Sequence, residues 1–412
     1  MKTVAVFFGG RSTEHDVSII TGLASVIKPL EESGNYRVEA VYIGRDGRWY
    51  WDDRLKDIKL YQGSGLEEFL RKAPTVQVQF DGGLTLTKTG GLTGRKIARQ
   101  IDIAFPAMHG TYGEDGTLMG VLRMGNIPFV GCDMEASAIA MNKLLTHSVC
   151  AAVGIDSHKY VGFGREEFLR DPQRIIGDIE KTFASLPKLF TSVVTGSPDT
   201  IALQRALFVK PVHMGSSIGI SRVTNRDQLM NALEVAFHYD TQIIVEEAVP
   251  NLVEVTVPIM GNDTPIAALP EEPAVSGEEF FDFETKYMKG GKGGKKGGGK
   301  SGGEDGAQGY SHIPARLPKL LLQCCVDTAL SAYKAIGASG TARVDLLVDS
   351  EAGRVYLNEI NPLPGSLYAH NWKKAGVSAI ELVEKLIAYA EEYHRAKQAQ
   401  TTVFQTNYLR QF

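Results

Sequence analysis

The chain opens with a short β-rich run, Lys2–Phe8, which Gly9-Gly10 cuts off before a helical stretch running to about Glu32. A second strand follows at Val38–Ile43. Strand, glycine break, helix and strand in that order make an α/β unit built on a parallel sheet, so the opening of the chain already sets the fold class. Ser12 or Thr13 is placed to cap the helix. Ile101–Met108 reads as a further, near-continuous apolar strand. It leads through His109-Gly110-Thr111-Tyr112-Gly113-Glu114-Asp115-Gly116 into a helix ending near Met124, then the apolar run Ile127–Val130. Val76–Leu92 reads as an inserted hairpin that turns at Asp81-Gly82-Gly83.

With 412 residues there is chain for two or three domains at about 100–200 residues each. The expected boundaries are an N-terminal α/β domain over 1–131, a central unit over 132–250 and a C-terminal unit over 251–412. The central unit should hold a helix at Ala136–Val153, a helical stretch Glu166–Leu186 and strands at Ala206–Val212 and Gln242–Ala248. The C-terminal unit should hold a strand Val253–Met260, the segment 280–287, a helix from about Pro318 to Ile336, the hairpin Ala342–Asn361 and the helix Ala379–Ala396.

At 43% hydrophobic and 22% charged residues, wholesale disorder is excluded. A net charge of −4 recommends neither nucleic acid nor an anionic membrane as partner. No apolar run approaches the roughly 18 residues of a membrane span. Met1–Phe8 is too short for a signal-peptide apolar region. Four cysteines make no disulfide framework in so long a chain, and Cys324 and Cys325 read as helix core. The expectation is a soluble cytoplasmic protein.

Residues 289–309 contain 11 glycines and 5 lysines. Such a segment cannot bury a core. It is either a disordered linker or, because it lies inside one unit, a lid or binding loop whose lysines would suit a polyphosphate.

Chemistry concentrates in four places. Arg343 and Asp345 lie two apart on one strand and so share a face, as do Glu359 and Asn361 on the return strand. Pairing centred on Ala352 sets Asp345 opposite Glu359 and Arg343 opposite Asn361. Two carboxylates and an amide oxygen side by side are what Mg²⁺ requires; the alternative is a solvated face with a cross-strand ion pair. Phe208-Val209-Lys210-Pro211 followed by His213-Met214-Gly215-Ser216-Ser217 is a strand ending in Lys before a small-residue loop, which suits a phosphate cradle. It has neither the Walker A order nor a GxGxxG. Ile244–Val249 ends a strand in Glu246 and Glu247, which are either solvated or placed to read an adenine and ribose. Asn142-Lys143 offers a solvated lysine or a phosphate ligand.

Taken in order, these segments resemble the D-alanine–D-alanine ligase family of the ATP-grasp superfamily. The resemblance rests on Gly9-Gly10, Glu14 and Val17-Ser18, and on His109-Gly110 with Gly113-Glu114-Asp115-Gly116. It continues through Met141-Asn142-Lys143, Val209-Lys210-Pro211 with Gly215-Ser216-Ser217, Val245-Glu246-Glu247, and Arg343-Val344-Asp345 with Asn358-Glu359-Ile360-Asn361. It spans residues 1 to about 390. It implies an ATP-grasp fold, in which a parallel α/β domain precedes two α+β domains that sandwich ATP.

The resemblance further implies Lys143, Lys210 and Lys286 on the phosphates, with the loop Met214–Ser217, Ser216 and Ser217 included, covering them. Glu246, Glu247 and Val249 would hold adenine and Glu254 the ribose. Asp345, Glu359 and Asn361 would bind two Mg²⁺ ions, or Mn²⁺. Arg343 and the backbone N–H of Gly365 would stabilise an oxyanion. Glu14 would take the ammonium of the first D-alanine within a Glu14–Ser216–Tyr287 triad, and His109 would line the substrate pocket. A homodimer serving peptidoglycan precursor synthesis in the cytoplasm is implied as well.

Three departures stand out. The lid is expanded into 289–309, and residues 164–200 are longer than compact members need. A His-Ser pair that would fix the second substrate's carboxylate is replaced by Ser366-Leu367-Tyr368-Ala369-His370, with His370 as its candidate substitute. The competing readings are a related ligase joining other amino acids and a non-catalytic ATP-binding protein.

Overall fold

A computed structural model describes residues 1–90, 95–183, 206–273, 311–403 and 405–411. The segment 280–287, with Lys286 and Tyr287, and the Gly/Lys-rich 289–309 lie outside the described residues.

The N-terminal sheet is assembled from β1 (Lys2–Gly9), β2 (Tyr36–Ile43) and β3 (Trp49–Trp51). A small antiparallel sheet of β4 (Gln77–Phe80), β5 (Leu84–Gly90) and β6 (Arg95–Ile101) precedes its last strand, β7 (Ile103–Pro106). The order is β3-β2-β1-β7, with β2 and β7 parallel to β1. From Thr3 to Gly9 every residue of β1 is buried, as a strand covered on both faces requires. The hairpin read at 76–92 is β4–β5. The single strand expected at Ile101–Met108 is instead divided at Asp102. Its carboxylate accepts the Thr3 N–H at 2.7 Å and its own N–H is given to the Thr3 carbonyl, so β6 and β7 enter different sheets.

The crossover is one helical run: His15–Ile20, a π-helical stretch Thr21–Ile27, and Lys28–Ser33. Glu14, not Ser12 or Thr13, holds the N-cap position. The Ser12 hydroxyl accepts the Glu14 N–H at 2.9 Å and donates to the His109 carbonyl at 2.7 Å, tying the helix start to the loop after β7. The helix Thr117–Met124 follows that loop.

The helix expected over 136–153 is two helices, Met134–Ala140 and Lys143–Ala152. Asn142 leaves helical geometry, and its side chain accepts the Leu145 N–H at 3.0 Å as a new N-cap, which puts Lys143 on the first turn. The stretch 166–186 likewise divides into Arg165–Arg170 and Pro172–Thr182, because Asp171 precedes a proline and caps the second helix. These elements surround a second, antiparallel sheet of β8 (Tyr160–Gly164), β9 (Leu207–Pro211), β10 (Ser221–Val223) and β11 (Gln242–Glu247), ordered β10-β9-β11-β8. The helix Arg226–Tyr239 packs Leu229, Leu233 and Ala236 on it.

The third sheet has β12 (Leu252–Met260), β13 (Ile266–Ala267), β14 (Thr341–Asp349) and β15 (Arg354–Asn361) in the antiparallel order β13-β12-β14-β15. Its apolar face shares a core with the helix Lys319–Ala335 and with Ala136, Ala140 and Cys150. Cys325 is buried there but Cys324 is exposed, correcting the reading of both as core. Successive helix positions diverge by about 100°, so only one of two neighbours can face the sheet. The helices Ala369–Lys374 and Ala379–Gln398 return to the first sheet, where Trp372, Leu382 and Leu386 join one core with Val6 and Phe8. Among the described residues no helix is long and apolar enough to cross a membrane.

Candidate active site

The hairpin β14–β15 places its polar face as the spacing suggests. Arg343 pairs with Asn361 and Asp345 with Glu359, while Val344 and Ile360 pair on the buried side. The route to that register differs from a turn centred on Ala352. Nearer the turn, Leu346 pairs with Leu357 and Asp349 with Arg354, so the turn centres between Glu351 and Ala352. Asn358 is an extra residue, and the β-bulge it makes shifts the upper half of the hairpin back into the register of the site.

Arg343 donates from Nε at 2.8 Å and from Nη2 at 2.6 Å to the two oxygens of Asp345. Asn361 adds its amide N–H at 2.9 Å, and the Thr256 hydroxyl on β12 donates at 3.1 Å. Burial alone would lower the pKa of Arg343, but the charge and hydrogen bond of Asp345, with the nearby Tyr368 and Glu359, together outweigh it and drive the guanidinium well above its ordinary value. Glu359 lies 3.3 Å from Nζ of Lys143. The two carboxylates thus already hold one cationic side chain each. Asn361 gives Asp345 its N–H. Among the described residues no three of His, Cys, Asp and Glu converge as a ligand set. The donors are hard oxygens only, which suits Mg²⁺ with water and phosphate completing the shell.

Lys143 also donates to the Met214 carbonyl at 2.8 Å, and so bridges β15 to the small-residue loop. Lys210 reaches in the same direction from β9, donating to Oδ1 of the bulged Asn358 at 3.2 Å. Behind it lies Glu246, 2.5 Å from the Lys210 Nζ and only 1% exposed. Nε2 of His158 is 3.2 Å and that of His147 3.4 Å from its carboxylate. Burial pushes Glu246 up, yet Lys210 and the two histidines more than offset this, and its pKa lies well below the usual carboxylate range. Neither histidine is singled out by sequence reasoning. Nothing in a lone His on a helix says that it faces a carboxylate 99 residues away.

At the start of the first crossover helix, Glu14 is buried and accepts the Ser216 hydroxyl. Ser216 and Ser217 both adopt left-handed backbone geometry, φ 53° and 59°. Gly110, φ 71°, stands where a Cβ would come within 3.0 Å of the Glu14 carboxylate and 2.8 Å of the Ser12 hydroxyl, so a side chain there would displace the anion. His109 is buried against Thr21, its Nε2 2.8 Å from the hydroxyl, and its Nδ1 lies 3.6 Å from Glu114. Burial lowers its pKa, but the hydrogen bond and charge of Glu114 prevail and the net shift is upward.

Comparison with known proteins places the chain as a whole. The family model described as D-ala D-ala ligase N-terminus matches residues 3–132, and that described as D-ala D-ala ligase C-terminus matches 198–388. A D-alanine–D-alanine ligase of Chlorobium limicola is 35% identical over 403 residues, covering 95% of this chain and 97% of that protein. The chain belongs to the D-alanine–D-alanine ligase family. Another relative of that name, from Geobacillus thermodenitrificans, is 34% identical and covers 98% of this chain and 100% of its own. Among solved structures, the D-alanine-D-alanine ligase from Coxiella burnetii superposes with a TM-score of 0.70 at 25% identity, covering 97% of each chain. The VanG D-Ala:D-Ser ligase from Enterococcus faecalis gives 0.70 at 30% identity, covering 94% of this chain and 99% of that one. The fold is thus ATP-grasp.

Within this D-alanine–D-alanine ligase family member the remaining candidates sit as follows. Glu247 ends β11, with its carboxylate 3.3 Å from the Lys159 N–H. Val249 is buried, and Glu254 is exposed on β12 opposite Leu347. Gly365 begins a one-turn helix Gly365–Tyr368 beside Val17, and the next N–H, of Ser366, donates to Thr21 at 3.0 Å. His370 turns to Glu271, Nε2 to carboxylate 2.8 Å. Tyr287 and Lys286 lie outside the described residues.

Proposed function

We propose that the protein joins two D-alanine molecules at the expense of Mg-ATP, supplying D-alanyl-D-alanine for cell-wall precursor synthesis. The observation that carries this reading is the meeting of Lys143 and Lys210 at the hairpin strand that carries Glu359 and Asn361: one lysine 3.3 Å from Glu359, the other 3.2 Å from the bulged Asn358. Two lysines and a hard-oxygen face are the groups that phosphoryl transfer to a carboxylate calls for.

In this reading the γ-phosphoryl group passes from ATP to the carboxylate of the first D-alanine, giving an acyl phosphate and ADP. The amine of the second D-alanine then attacks that carbonyl and inorganic phosphate leaves. Asp345, Glu359 and Asn361 would hold Mg²⁺, which when bound neutralises charge on the transferring group. Lys143 and Lys210 position the phosphates. Arg343, with the Gly365 N–H, faces the oxyanion of the second step. Glu14, fixed by Ser216, takes the first ammonium. Release of phosphate from Mg-ATP that requires D-alanine, with D-alanyl-D-alanine as product, is the expected result. Turnover with no dependence on D-alanine overturns it.

One observation favours a second reading of the acceptor. Tyr368-Ala369-His370 stands where a His-Ser pair was expected, and His370 is already bonded to Glu271. A site that reads a carboxylate or hydroxyl by hydrogen bonds discriminates strongly. Offering D-serine and D-lactate beside D-alanine as the second substrate distinguishes the two.

A further inference from the structure

Three consecutive non-glycine residues, Ser366, Leu367 and Tyr368, have φ near +50° (52°, 51° and 52°). Such geometry is costly for side-chain-bearing residues and persists only where its surroundings over-determine it. Here the determinants form a closed circuit. The Tyr368 ring lies 5.2 Å under the Arg343 guanidinium. Its hydroxyl meets the Thr256 side chain, which donates to Asp345, which in turn holds Arg343. The Tyr368 ring also contacts the His370 ring, their centroids 4.9 Å apart. His370 is bonded to Glu271, which also accepts the Asn371 amide at 3.1 Å. Glu271 pairs by its backbone with Thr256, both hydrogen bonds at 2.8 Å, and so returns to the start.

We propose that Tyr368 is a positioning residue for the ligation step: its ring keeps the Arg343 guanidinium beside the hairpin face while Asp345 is shared with a metal ion, and the His370–Glu271 pair holds the ring in place. The inference rests on the ligase reading above. In the closed circuit, Arg343 is held from two directions, by the Asp345 carboxylate and by the aromatic face. A dication competing for Asp345 removes the first restraint. The ring is the second, and its attraction for a guanidinium is electrostatic and needs no hydrogen bond. Arg343 therefore stays near the carbonyl that is to be attacked.

The test uses the full chain carrying Tyr368→Leu, Tyr368→Phe or His370→Ala. Leu keeps a Cβ at the same left-handed position, so the backbone demand is unchanged. Tyr368→Leu should lower kcat about tenfold with the KM for ATP within about twofold. Tyr368→Phe, which keeps the ring, should restore most of that loss, and His370→Ala should fall between. Thermal stabilisation by Mg²⁺ with a non-hydrolysable ATP analogue should be equal in the parent and Tyr368→Leu, since the proposal gives the ring no contact with phosphate or metal. Tyr368→Leu at full kcat overturns the inference. So does a loss that Phe does not restore, because the hydroxyl and not the ring face would then act, or one matched by lost stabilisation with the analogue, because the ring would then act as packing alone. A parent protein that shows no D-alanine-dependent turnover overturns the ligase reading itself. In that case equal retention of the analogue by all variants still separates the ring from nucleotide binding.

Discussion

Two carboxylates anchor the candidate site, and they are built in opposite ways. Asp345 is half-buried on a hairpin, and its partners are near in sequence or register: Arg343 two residues back, Asn361 across the ladder, Thr256 on the next strand. Glu246 is enclosed, and its partners come from three separate elements: Lys210 on β9, His147 on the helix Lys143–Ala152, and His158 ahead of β8. A half-buried carboxylate whose counter-ion sits on a flexible side chain can exchange that ion for a metal. An enclosed one that neutralises a lysine between two histidines cannot, because any vacancy leaves a charge buried and unpaired. In the ligase reading proposed above, Asp345 serves chemistry, and Glu246 fixes Lys210 for it.

The comparison can be broken most directly at the hairpin. Asp345→Asn or Glu359→Gln should lower phosphate release with D-alanine by about 10⁴-fold, an effect larger than their cost in denaturant unfolding. Activity retained in either variant would remove the metal assignment. The opposite pattern is expected at the enclosed site. Glu246→Gln should cost about 3 kcal/mol in denaturant unfolding, since Lys210 loses its buried counter-charge. A variant as stable as the parent would show that Glu246 does not carry the framework.

Two smaller effects sharpen the boundary between the sites. Asn358→Ala removes the hydrogen bond from the bulge to Lys210 and should raise the KM for ATP by about fivefold to tenfold with kcat less affected. An unchanged KM would mean that Lys210 is placed by Glu246 alone. His109 gives the smallest effect and carries a pH signature. Its pKa is raised in the fold, so its stabilising contribution is complete below about 6.5 and is lost as pH rises through the folded value. The stability difference between the parent and His109→Asn should therefore shrink from pH 6 to pH 9. A difference that grows with pH would contradict the pairing with Glu114.

Much of the hairpin was legible because a strand has a period of two: Arg343, Asp345, Glu359 and Asn361 share a face whatever the rest of the fold does. Even so, the correct pairing came with a compensation. The turn sits half a position away from Ala352, and the bulge at Asn358 returns the ladder to the expected register. Pattern alone does not reveal a bulge, because the inserted residue has no spacing signature. Helix breaks were legible only in hindsight. Asn142 and Asp171 are capping residues inside otherwise helical stretches, and whether a cap is used depends on what the next helix packs against.

By itself the sequence determined the α/β opening unit, the polar face of the hairpin, the ordered motifs that mark the family, and Lys143 and Lys210 as candidates for a phosphate. Those are consequences of periodicity, glycine placement and local charge, which act over a few residues. Only the tertiary structure decided that the final helices return to the first sheet, that two histidines and Lys210 converge on Glu246, and that Tyr368 lies against Arg343. Each of these joins residues far apart in the chain, and burial against a shared core, not local preference, chooses such contacts.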